Sequence, residues 1–137
     1  MASMDTASKV LIVGGVMNLA LSFVLGFLLS RQRLADPQKD ARLLLQTHRV
    51  TLWEGFMLLG LVFAVQLSTL SPGLELGAAW LLVASAAFQD AGAITNWLRL
   101  TQDYFAERSL GLYLNVINAV LGTIGLAILI VGVFKGL

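Results

Sequence analysis

Residues 10–29 read VLIVGGVMNLALSFVLGFLL, and no side chain in that stretch is charged. At a rise of about 1.5 Å per residue, a helix of that length crosses a hydrocarbon layer of about 30 Å. The stretch is too long for the apolar core of a secretory signal, and no small-x-small cleavage pattern follows it. It therefore reads as a retained transmembrane helix. A second charge-free run, Leu110–Phe134, reads LGLYLNVINAVLGTIGLAILIVGVF. Two more apolar spans lie between these. One runs from about Ala41, after Pro37, to Leu70 and contains Glu54 and Gln66; the other runs from Leu76 to Leu98 and contains Asp90. The expected fold is all-α and integral to a membrane. Four transmembrane helices, 10–29, 41–70, 76–98 and 110–134, form an up-down-up-down bundle and a single domain over residues 1–137. Ser71-Pro72-Gly73 reads as the tight turn between the middle two.

Composition agrees. The chain is 58% hydrophobic and 12% charged, with a mean hydropathy of +0.83. Soluble domains run at about 45–50% apolar and about 25% charged, so a water-soluble globule and a disordered chain are both excluded. A net charge of +1 argues against a nucleic-acid partner. The absence of cysteine excludes disulfides, thiol nucleophiles and thiolate metal sites, and one histidine excludes a multi-imidazole site within one chain. The links before helix two and before helix four carry Arg31, Arg33, Lys39, Arg42, Arg99 and Arg108, against Lys9 and Lys135 at the opposite end. The positive-inside rule then places those links in the cytoplasm and both termini outside, in a multi-pass protein of the cell's inner (cytoplasmic) membrane.

Polar residues inside the spans carry the functional signal, because lipid-facing positions favour apolar side chains. Gly111, Asn115, Asn118, Gly122, Gly125 and Gly132 form one stripe on helix four, and Gly15, Asn18, Ser22 and Gly26 form another on helix one. Each is either a close-packing seam with polar glue or the wall of a cavity. Helix three places Ser85, Gln89, Asn96, Arg99 and Asp103 near one angle, with Asp90 about 100° round from Gln89. Asp90 either pairs with an arginine of its own bundle or serves a site. Helix two holds His48, Thr51 and Glu54 at three-residue steps, with Glu54 about 9 Å deeper than His48. The histidine has an interfacial-anchor reading beside the functional one.

The run Thr47-His48-Arg49-Val50-Thr51-Leu52-Trp53-Glu54-Gly55-Phe56-Met57 resembles the second helix of a group of small four-helix membrane isomerases. These are the hydroxylaminobenzene mutases and, more distantly, the styrene oxide isomerases. Their histidine is followed six positions later by a polar residue, then by glycine and a Met/Phe pair. His48, Glu54, Gly55, Phe56 and Met57 match that pattern, with Glu54 where those proteins usually have asparagine. Ile94-Thr95-Asn96-Trp97-Leu98 is similar to the mutases' Ala-Asn-Trp-Leu at the end of helix three. Two positions depart from the epoxide isomerases: Gly92 stands where they have aspartate, and Leu100 where they have tyrosine.

The resemblance implies rearrangement of a small lipophilic aromatic substrate, arylhydroxylamine to aminophenol or aryl epoxide to aldehyde. It also implies haem b as a Lewis acid, with His48 as the metal ligand, and a homo-oligomer, a trimer above other states. Gln46, Thr47 or a neighbouring subunit would support the second ring nitrogen of His48. Glu54, Asn96 and Asp90 are the candidate catalytic residues, with Glu54 and Asn96 expected to face the same pocket as His48. Two other readings fit the same spans. One is a small four-helix multidrug-type transporter using Glu54 for proton coupling, although helix one carries no acid. The other is a non-catalytic membrane subunit packed through its glycine seams.

Overall fold

A computed structural model describes residues 4–137 as four helices, α1 (Thr6–Ala35), α2 (Arg42–Leu67), α3 (Pro72–Leu98) and α4 (Leu110–Gly136). Each is long and apolar enough to cross a membrane, and the described residues contain no strand. α1 overruns its expected limits at both ends, α3 at its start and α4 at its end, because helix formation continues into water where charges are welcome; α2 falls short of the expected 41–70 at both ends. At the start of α1, the Asp5 carboxylate accepts the Ser8 N–H at 2.7 Å and caps the helix ahead of Lys9. At 30 residues, α1 is about 45 Å long, so Arg31 and Arg33 emerge beyond the hydrocarbon. The turn expected at Ser71-Pro72-Gly73 is instead the start of α3, with Ser71 at the N-cap and Pro72 as the first helical residue. Its fixed φ suits that position, and its missing N–H has no helical partner to lose.

Glycine decides which helices approach closely. At the α1–α2 crossing, a Cβ on Gly15 would stand 3.0 Å from the Gly55 carbonyl oxygen, and a Cβ on Gly55 would stand 3.1 Å from that of Gly15. The α3–α4 pair interlocks reciprocally. Asn96 of α3 fills the space beside Gly111, and Asn115 of α4 fills the space beside Gly92. These two antiparallel pairs are joined mainly by α3, which also packs on α1 and α2; α4 touches α2 only lightly and α1 not at all.

Apolar packing is concentrated toward the two ends. Leu11, Leu58, Val62, Leu82, Ala86 and Leu129 belong to the larger cluster. Leu25, Leu29, Ala41 and Leu44 form a smaller one at the basic end. Along each helix the polar residues fall between or beside these clusters: Asn18 and Ser22 on α1, His48 to Glu54 on α2, Gln89 and Asp90 on α3. The outer surface is apolar, with Phe23, Phe63 and Phe134 all at least 68% exposed, as a lipid-facing surface requires.

The link between α3 and α4 is ordered by its own hydrogen bonds. Thr101 N–H reaches the Asn96 carbonyl and Leu100 N–H the Trp97 carbonyl. This helix stop requires a left-handed residue, here Leu100 at φ 55°. Arg42 Nη2 donates to Gln102 Oε1 at 2.8 Å and the Tyr104 hydroxyl to Gln46 Oε1 at 3.3 Å, tying the link to the start of α2.

Candidate intramembrane site

His48 turns toward α1. Its Nδ1 lies 2.9 Å from the Ser22 carbonyl oxygen, and the Ser22 hydroxyl donates to the His48 carbonyl oxygen at 3.2 Å. Each residue thus holds the other's backbone. A carbonyl only accepts, so in the neutral ring Nδ1 carries the proton and Nε2 keeps its lone pair. Gly26 makes room for the imidazole; a Cβ there would stand 3.1 Å from the ring Cε1. The support comes from Ser22 rather than from Gln46 or Thr47. Gln46 accepts from Tyr104, and the Thr47 hydroxyl is taken by the Leu43 and Ala93 carbonyls at 2.8 and 3.2 Å.

Glu54 turns elsewhere. Three residues advance a helix by 300°, so two such steps carry Glu54 about 120° from His48. Thr51 between them donates back to the His48 carbonyl at 2.9 Å. Glu54 lines a cleft of about 350 Å³ between α2, α3 and α4, with Met57, Leu82, Ser85, Asn118 and Gly122. The cleft sits where α4 draws away from α2. Met57 and Leu126 on its wall are each 42% exposed, so it opens sideways toward lipid. Ser85 Oγ donates to Asn118 Oδ1 at 2.6 Å, and Asn118 Nδ2 donates to Gln89 Oε1. One wall of the cleft is therefore a fixed chain of polar groups.

Asp90 is 5% exposed, and Glu54 is its acidic neighbour. Glu54 Oε2 and Asp90 Oδ1 are both buried without a hydrogen-bond partner, so no arginine of the bundle satisfies these oxygens. Asn96 is 1% exposed, and both its side-chain polar atoms lack a partner. It is held in the α3–α4 seam against Gly111. Within one chain, then, Glu54 and Asp90 come together, whereas His48 faces α1 and Asn96 stays in the seam. The polar stripe of α4 is both seam and wall: Gly111, Asn115, Gly125 and Gly132 pack closely, while Asn118 and Gly122 also line the cleft. Ser22 and Asn118, read from the sequence as members of the small-residue stripes, and Ser85, read as part of the polar face of helix three, hold His48 and the cleft wall. The matching four-residue steps of Ser85–Gln89 and Asn118–Gly122 were the available signal.

The described residues hold no group of three or more His, Cys, Asp or Glu suited to a metal ion. What they offer is the single imidazole of His48, whose Nδ1 is held by the Ser22 carbonyl. A metal-bound histidine normally donates its other ring N–H to a carbonyl or carboxylate, as His48 does to Ser22. No protein-family model, no curated protein and no solved structure matches the chain.

Proposed function

We propose that this chain is an integral-membrane isomerase of small lipophilic aromatic molecules, converting an arylhydroxylamine to an aminophenol or an aryl epoxide to an aldehyde. The observation that carries the reading is the cleft. It has apolar walls, a lateral opening to lipid, a buried carboxyl oxygen on Glu54 with no partner, and Asp90 close behind. A lipophilic substrate dissolved in the bilayer reaches such a site without crossing water.

Glu54 donates a proton to the substrate oxygen, and the N–O or benzylic C–O bond breaks with both electrons going to oxygen. Once it has given up its proton, the Glu54 carboxylate faces the cation that develops on the ring or benzylic carbon, with Asp90 behind it. For the hydroxylamine, the departing water adds back at a ring carbon, one of its protons passes to the nitrogen to give the amine, and the ring proton returns to Glu54. For the epoxide, a hydride moves to the benzylic carbon, and the hydroxyl proton returns to Glu54. Either product is an isomer of its substrate, so no external oxidant or reductant is needed. Ser85 and Asn118 orient the substrate along the opposite wall.

Haem b, brought by the family resemblance, would be held by His48 through Nε2 and when bound supplies a Lewis acid for an oxygen atom. His48 and Glu54 lie on different faces of α2. Assembly as a homo-oligomer, for which we favour a trimer, is the means by which one copy's His48 face meets another copy's cleft. The basic links face the cytoplasm in this reading, and the membrane is the inner, cytoplasmic one.

The test is turnover by purified protein together with its visible spectrum. Wild type forms isomer, and Glu54→Gln loses about 10²- to 10⁴-fold in rate. A Soret band present in wild type and Glu54→Gln but absent in His48→Ala supports the haem assignment; a colourless, iron-free wild type removes it. The multidrug-type transporter reading uses the same Glu54 and predicts movement of unaltered substrate instead.

A further inference from the structure

At the basic end of the bundle, a cavity of about 480 Å³ lies between the end of α1 and the start of α2. Arg33, Lys39 and Arg42 bring three cations to its wall, over an apolar floor of Pro37, Ala41 and Leu45. The single acid in the wall is Asp40, and its Oδ1 already accepts the Arg42 backbone N–H at 2.8 Å. Arg42 is also steadied from outside by its bond to Gln102. The cavity abuts the first turn of α2, where the N-cap residue Ala41 offers no side-chain hydrogen bond. The positive end of that helix dipole adds to the three cations.

The surroundings distinguish a lipid from a free ion. Lys39 and Asp40 also form one wall of a second cavity, of about 470 Å³, whose other lining includes Leu43, Trp97, Leu98 and Leu100. Leu98 and Leu100 are 67% and 68% exposed, and Leu34, next to Arg33, is 86% exposed. At the edge of the hydrocarbon the glycerol and upper acyl carbons of a phospholipid would cover these apolar side chains, whereas inorganic phosphate would leave them in water.

We propose that the Arg33/Lys39/Arg42 cavity binds the phosphate headgroup of an anionic phospholipid, with its acyl chains lying along the neighbouring leucines and Trp97. Such a lipid would bridge the 36–41 link to the α3–α4 link and hold the basic end of the bundle together. The site is separate from the Glu54 cleft and stands whether or not the isomerase reading does.

The test is binding of a phosphatidylglycerol to detergent-purified full-length protein by native mass spectrometry, with melting temperature as a second readout. Phosphatidylcholine and inorganic phosphate are run in parallel. Phosphatidylglycerol should stay bound and raise the melting temperature, and the other two should do neither. Arg33→Ala/Lys39→Ala should weaken binding about thirty-fold, the equivalent of about 1 kcal/mol for each cation removed. Arg31→Ala/Arg99→Ala removes two cations from the same end but outside the cavity, and should cost less than about three-fold. Equal losses in the two variants would reduce the effect to general surface charge and overturn the site. Equal stabilisation by inorganic phosphate would overturn the lipid, and unchanged affinity in Arg33→Ala/Lys39→Ala would overturn both.

Discussion

Gly55→Ala tests the α1–α2 seam that sets both His48 and Glu54. A Cβ at position 55 would lie 2.8 Å from Leu19 Cδ2, 2.9 Å from Leu19 Cγ and 3.1 Å from the Gly15 carbonyl oxygen. The leucine can rotate away; the carbonyl belongs to the partner helix and moves only if α1 moves. Overpacking of this kind costs about 1–3 kcal/mol. Against it, alanine gains about 1 kcal/mol over glycine in a helix interior. The net expectation is a loss of about 1 kcal/mol. Gly60, on the same helix, has nothing within 4 Å of its would-be Cβ. Gly60→Ala therefore keeps the propensity gain and should stabilise by up to about 1 kcal/mol. The gap between the two variants isolates the clash, at about 1–3 kcal/mol. Unfolding in mixed micelles by dodecyl sulfate titration, followed by circular dichroism, measures it. If both variants shift stability equally and in the same direction, the seam is not a close backbone contact and the argument fails.

Leu100→Gly relieves a left-handed backbone at φ 55° and should raise stability by about 1 kcal/mol in the same titration. Burial works to raise the Asp5 carboxyl's pKa, but its hydrogen bonds to Ser8 outweigh that and hold it below its ordinary value. Its contribution is thus complete above its unfolded pKa of about 4 and is lost as pH falls through the lower folded value. Faster exchange of the Ser8 amide at those pH values, absent in Asp5→Asn, is the expected signature. Single cysteines at Asp36 and Ser71 report sidedness: in intact cells an impermeant thiol reagent should label the second and not the first, and the reverse pattern would invert the topology.

Much of the fold was legible because charge-free runs of membrane-spanning length admit few alternatives. Val10–Leu29 and Leu110–Phe134 each lie inside the observed α1 and α4. The ends were less legible, since Asp5 and Pro72 act through local capping and backbone rules that hydropathy does not register. The site was legible as a set of residue types and not as a geometry. His48, Thr51 and Glu54 are neighbours pair by pair, yet the 60° shortfall at each three-residue step puts the ends of the series on different faces. Which neighbour each face meets depends on how α1 and α4 pack around α2, and four similarly apolar helices do not encode that in their periodicity. Asn96 shows the same limit. Its position near the basic end was readable, but its burial in the seam follows from Gly111 of another helix.

The most direct test of the isomerase account is a time course of phenylhydroxylamine in sealed proteoliposomes without any ion gradient, comparing wild type with Glu54→Gln. The account predicts that wild type accumulates aminophenol of unchanged molecular mass, while Glu54→Gln forms it at least about a hundred-fold more slowly. Unaltered substrate, or equal rates in the two proteins, would contradict it.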